Sequence, residues 1–215
     1  MKPQRQDIFS SYSHLGGAAV ALIGAVILIW QAFPDLPLVI VSVIYGLAAI
    51  FMLLTSGLYH GFKKAENQTG LLRKLDHISI FCMIAGTFTP LCYVYLVGSM
   101  RWGIIIAQWA LVIAGFFISI FYIKAPRVLT TIIYLLMGWM AVIPIKQLVS
   151  KMTTESLVLL VLGGLAYSIG AVFYMFKKPN PAPGFFGFHE IFHVFILAGV
   201  VLHFLVVFDA ISFIW

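Results

Sequence analysis

Apolar residues gather into seven long runs separated by short polar breaks. The runs lie near residues 14–33, 38–60, 76–97, 102–123, 127–147, 155–176 and 188–213. Each holds about 20 residues or more, the length a helix needs to cross about 30 Å of hydrocarbon. Every break carries charge, proline or glycine: Pro34-Asp35-Leu36-Pro37, then the stretches 63–74, 98–101, 124–127, 146–154 and 177–187. The pattern predicts an all-α fold, a seven-transmembrane helix bundle occupying residues 1–215 as one domain. A short connector, Lys124-Ala125-Pro126-Arg127, carries the split between the fourth and fifth runs. No internal repeat or low-complexity tract interrupts the series. The first run is longer than the apolar part of a signal peptide and lacks a small-x-small cleavage site, so it is expected to remain as a span.

Composition agrees with a lipid solvent. Hydrophobic residues make up 62% of the chain and charged residues 9%, where soluble domains carry about 25% charge. A soluble core of this size cannot hide that much apolar surface. Membrane lipids are therefore the expected surroundings and partners. The net charge of +6 comes from lysines and arginines in short loops, which points to topology and lipid headgroups and away from nucleic acid. With seven spans, the N-terminus and alternate loops carry Lys2, Arg5, Lys63, Lys64, Arg73, Lys74, Lys124, Arg127, Lys177 and Lys178. The opposite side carries Arg101, Lys146 and Lys151. This asymmetry predicts a cytoplasmic N-terminus and an external C-terminus in a multi-pass cell-membrane protein.

Smaller features fit the same frame. Cys82 and Cys92 lie ten positions apart in one run, about 15 Å along a helix, too far for a disulfide. Pro90 and Pro144 fall inside runs, where a bundle tolerates kinks. Gly163 and Gly164 are expected to allow close helix approach. Trp30, Trp102 and Trp215, near span ends, read as interface anchors.

Ionisable groups within spans are costly and ask for a reason. Ser56 and His60 stand four apart, on one face at the cytoplasmic end of the second run. Asp76 and His77 begin the third run at that end, and His189 and His193 share a face at the start of the seventh. Topology thus brings His60, Asp76, His189 and His193 to one depth. Three imidazoles suit zinc and leave a fourth position open. Asp76 and Ser56 are placed to orient a ligand or handle a proton. The sequence His189-Glu190-Ile191-Phe192-His193 also matches the His-Glu-x-x-His pattern, in which the acid is a general base. Glu190 has a second explanation, since an acid is favoured in the first turn of any helix. His203 lies about 15 Å beyond His193 and reads as a polar bundle contact. His77 reads as structural or interfacial. His14, at the start of the first run, is a further residue at the cytoplasmic end.

These residues resemble the hemolysin III group of the progestin and adipoQ receptor family. The matching pieces are Ser56-x-x-x-His60, Leu75-Asp76-His77, Gly86-Thr87-Phe88-Thr89-Pro90, and His189-x-x-x-His193 followed by His203-Phe204. The resemblance implies a seven-helix fold with zinc on His60, His189 and His193, and roles for Ser56 and Asp76. Through adiponectin receptors and alkaline ceramidases it implies a metal-dependent lipid amide or ester hydrolase. The chain departs from bacterial members ahead of His14, where Asp7-Ile8-Phe9-Ser10-Ser11-Tyr12-Ser13 stands in place of a Glu and Asn pattern, and it lacks the long N-terminal extension of the animal hormone receptors. Three other functions stay open at this point: a lipid sensor with a structural zinc, a pore-forming cytolysin, and an intramembrane zinc protease resting on Glu190.

Overall fold

The computed structural model describes residues 5–63, 70–122 and 126–212. Among them the regular structure is helical: α1 Arg5–Ala32, α2 Leu36–Phe62, α3 Leu71–Tyr95, α4 Gly98–Phe121, α5 Arg127–Gly138, a 3-10 turn Trp139–Val142, α6 Ile145–Lys151, α7 Thr154–Phe176 and α8 Phe188–Ser212. Six of these helices are individually long and apolar enough to cross a membrane. A seventh span is the broken pair Val128–Val142 and Ile145–Lys151, which meet at 55°. The chain is a multi-pass membrane protein with an all-α, seven-span architecture.

The breaks in the sequence work as helix punctuation. Asp35 caps α2, its Oδ1 accepting the Leu38 N–H at 3.0 Å, with Pro37 in the first turn, where no donor is lost. Thr153 caps α7 in the same way, accepting the Ser156 N–H at 3.1 Å. The two internal prolines differ in effect. α3 runs unbroken through Pro90, and the Thr87 and Thr89 hydroxyls bond the Met83 and Ala85 carbonyls at 2.9 and 2.8 Å. Pro144 instead marks the break between α5 and α6. There the buried Gln108 of α4 donates to the Met137 carbonyl at 2.9 Å, satisfying a backbone acceptor where α5 gives way to the 3-10 turn.

α3 is the central helix, with 72% of its most apolar window buried against 22% for α4. α2 packs between α1 and α3, and α8 packs on α7, α1 and α3. Small residues set two of these approaches. A Cβ on Gly46 would lie 2.5 Å from the Ala25 Cβ, and one on Gly86 would lie 2.5 Å from that of Ala48. Large apolar side chains such as Val20, Ile23, Ile106 and Val161 point outward, as a lipid solvent permits.

Of the smaller expectations, Gly163 does make a close approach, against the His203 ring, but Gly164 has open space beside it. The His203 Nε2 lies 3.2 Å from the Leu160 carbonyl, a polar bundle contact. Cys82 and Cys92 are free thiols. Trp30 and Trp102 are exposed. Trp215, Lys2, Lys64 and Lys124 lie outside the described residues. α1 starts nine positions earlier than the apolar run predicts, because a stripe of polar residues in its first turns is buried and not solvated.

Candidate metal centre

The last turn of α2 and the first turns of α1, α3 and α8 meet at one end of the bundle. α8 offers His189 and His193 one turn apart on one face, and α2 offers His60 from its final turn. The three imidazoles converge, with ring centroids 4.7–4.9 Å apart in every pairing. One ligand atom from each lies within 4.8 Å of the others. The His189 Nε2 stands 3.3 Å from the His60 Nε2 and 3.1 Å from the His193 Nε2. Tetrahedral coordination by imidazole at about 2.0–2.1 Å per bond places neighbouring nitrogens about 3.3–3.4 Å apart. His60 and His193 are 2% exposed and His189 is half-buried. The group can hold a metal ion.

The orientation of two rings is fixed from behind. The His60 Nδ1 is 3.2 Å from the Asp7 Oδ1. An ionised carboxylate only accepts, so Nδ1 carries the proton and the Nε2 lone pair faces the centre. The same Asp7 Oδ1 takes Lys63 Nζ at 2.5 Å, and Lys63 also lies over the Tyr59 ring. The His193 Nδ1 is 2.8 Å from the His14 Nε2, and with its Nε2 turned inward His193 is the donor in that bond. Ser11, on the same face of α1, donates to the Gly57 carbonyl at 2.8 Å and ties the two helices together beside the site.

Asp76, in the first turns of α3, lies close enough to Ser56, His60 and His77 for each to act on its carboxyl. Asp76 is not among the mutually close ligand atoms, and the carboxylate that accepts from His60 is that of Asp7. His77 stays on α3 outside the triad, its backbone carbonyl accepting from Tyr134 at 3.3 Å. Glu190 is 1% exposed, and its Oε2 accepts the Gly187 N–H at 2.8 Å. This is half of a capping box, an acid at the third helical position bonding back to the cap residue. Glu190 therefore serves the helix terminus and not the triad, and the protease reading loses its general base.

Asp7 lies ahead of the apolar runs, which do not single it out, and His14 stands out from them only by its place at the cytoplasmic end; the structure sets both behind the triad. A signal was present: Asp7, Ser10, Ser11 and His14 recur at three- and four-residue intervals, one helical face. All four are buried. Beside the site, the ends of α2 and α3 enclose a cleft of about 150 Å³ lined by Tyr59, Phe62, Lys63, Gly70, Leu71, Leu72 and Arg73.

Residues 4–204 match the family model described as haemolysin-III related. The chain is similar to Hemolysin-3 of Bacillus cereus, 31% identical over 202 residues, which cover 93% of this chain and 89% of the relative. It is 33% identical over 156 residues to the Hemolysin-3 homolog of Bacillus subtilis (strain 168), covering 73% and 70%. It is 27% identical over 201 residues to the human Monocyte to macrophage differentiation factor, covering 90% and 79%.

Proposed function

The chain belongs to the haemolysin-III-related family, and on that footing we propose that it is a zinc-dependent hydrolase of lipid amides or esters. It works from the cytoplasmic leaflet, the side to which most of the loop lysines and arginines assign the histidine end. The observation that carries the reading is the ligand set. Three imidazoles converge, two of them buried and one half-buried, and among the described residues no fourth ligand atom joins them. Structural zinc sites are closed by four protein ligands, whereas catalytic sites hold three and keep a position open. Direct ligation by Asp76 would have favoured a closed staple.

A zinc ion held by His60, His189 and His193 would supply Lewis-acid activation of water and of a substrate carbonyl. The chain's own residues do the rest. The Asp76 carboxylate is the group beside the site able to accept a proton and return it to a leaving amine or alkoxide. Ser56, close to that carboxylate, would orient it or support the tetrahedral oxyanion. The wall of Leu71, Phe62 and Tyr59, with Arg73 and Lys63 at its edge, offers an apolar surface with a cationic rim. That chemistry suits the headgroup and upper chain of a lipid arriving from the membrane.

The test is elemental mass spectrometry on the purified protein, followed by hydrolysis assays on ceramide-like amides in proteoliposomes. About one zinc per chain, with hydrolysis and zinc both lost in His189→Ala, is expected. Hydrolysis retained by a zinc-free variant would remove the mechanism. Zinc without turnover on any lipid amide or ester would leave a structural staple joining α2 to α8.

A further inference from the structure

A neutral imidazole has one N–H and one lone pair, so a ring binds metal through one nitrogen only if the other carries the proton and has somewhere to donate it. For two of the three rings that acceptor comes from α1: Asp7 Oδ1 behind His60 and His14 Nε2 behind His193. We infer that Asp7 and His14 are positioning residues of the metal centre, fixing the tautomer and aim of His60 and His193, and that α1 is thereby part of the metal site. The inference rests on the metal reading of the triad given above.

The burial pattern supports it. The first turns of α1 lead into an apolar helix, yet Asp7, Ser10, Ser11 and His14 are 0–6% exposed. The His14 Nδ1 and the Ser10 Oγ, one turn apart, have no hydrogen-bond partner among the described residues. A buried polar atom without a partner is costly, and an apolar residue would pack there without that cost. What His14 does make is the 2.8 Å contact to His193. Asp7 is likewise anchored: Lys63 shares its Oδ1, holding the carboxylate behind His60 and away from the triad's inner face. A carboxylate or imidazole behind a ligating histidine orients the ring and raises its basicity, and losing such a partner weakens metal binding about ten- to one-hundredfold.

The experiment is a cobalt(II) titration of the full-length protein in detergent, read by its ligand-field absorbance, with zinc competition for affinity. Asp7→Ala and His14→Phe are expected to weaken binding about ten- to one-hundredfold. Asp7→Asn and His14→Gln, which keep an acceptor oxygen, are expected to hold affinity within a few-fold while shifting the cobalt bands. Ser11→Ala cuts the bond between α1 and the Gly57 carbonyl without touching a ligand, and is expected to change neither. Equal loss in Ser11→Ala would assign the effect to docking of α1 and overturn the inference. Unchanged affinity in Asp7→Ala and His14→Phe would overturn it while leaving the metal site standing. If those two fail to fold, native cobalt bands in Asp7→Asn and His14→Gln overturn it. A native chain that binds no metal would end both readings.

Discussion

Glu190→Gln and Glu190→Ala are expected to diverge, and the divergence separates a helix cap from a catalytic base. The carboxylate is 1% exposed and accepts the buried Gly187 N–H at 2.8 Å. Glutamine presents an amide oxygen at the same reach, so it keeps the bond and loses only the charge facing the helix terminus, about 0.3–1 kcal/mol. Alanine loses that charge and also leaves the Gly187 N–H buried without an acceptor, about 1–3 kcal/mol more. In a chain of this size each kcal/mol moves the Tm by about 2–4 °C. The Gln variant should therefore melt about 1–4 °C below the native protein, and the Ala variant a further 2–12 °C lower. Tryptophan fluorescence in detergent reads both. Zinc content should stay near native in each, and hydrolysis by the Gln variant should be intact. A general base replaced by its amide would cost about 10²- to 10⁴-fold in turnover. A Gln variant that melts like the native protein but has lost hydrolysis would refute the capping argument, as would an Ala variant with an unchanged Tm.

Three further outcomes are expected. His60→Ala, His189→Ala and His193→Ala should each bring zinc per chain close to zero by elemental mass spectrometry, and full retention in any one would remove that residue from the site. Asp76→Asn should lower lipid amide hydrolysis about 10²- to 10⁴-fold with zinc content unchanged; loss of zinc instead would recast Asp76 as a ligand. Gly46→Leu should destabilise by about 1–3 kcal/mol, because a Cβ at that position already meets Ala25 at 2.5 Å. A native Tm for that variant would contradict the close approach of α1 and α2.

The architecture was legible in the sequence because lipid demands length and apolarity, and both are local properties of a run. His60, His189 and His193 were legible for a related reason. A seven-span topology assigns each residue a depth, so ionisable groups far apart in sequence can be compared by depth alone. Three things were not legible. The start of α1 was hidden because Asp7, Ser10 and Ser11 look like a solvated leader, and nothing local distinguishes a polar stripe that faces water from one that faces a neighbouring helix. The partner of His60 was hidden because two carboxylates, Asp7 and Asp76, reach the same depth, and choosing between them requires the rotation of α1 and α3 about their axes. Pro90 and Pro144 look alike in sequence, yet one leaves α3 unbroken and the other marks a 55° break. Near Pro90 the Thr87 and Thr89 hydroxyls bond the Met83 and Ala85 carbonyls, and ahead of Pro144 a buried Gln108 from α4 bonds the Met137 carbonyl; such neighbours cannot be read from an apolar run.

The pairing of His60 with His189 spans 129 positions, and that separation imposes an order on biosynthesis. Asp7, His14 and His60 leave the ribosome first and can meet as soon as α1 and α2 fold back on each other. This early hairpin holds one of the three triad imidazoles, with its acceptor Asp7 already behind it. The other two ligands arrive together on the last helix, after every intervening span has been made. On the proposed reading metal uptake is then a late event: a chain stalled before α8 presents one of the three triad imidazoles, and only a chain that has made α8 presents all three.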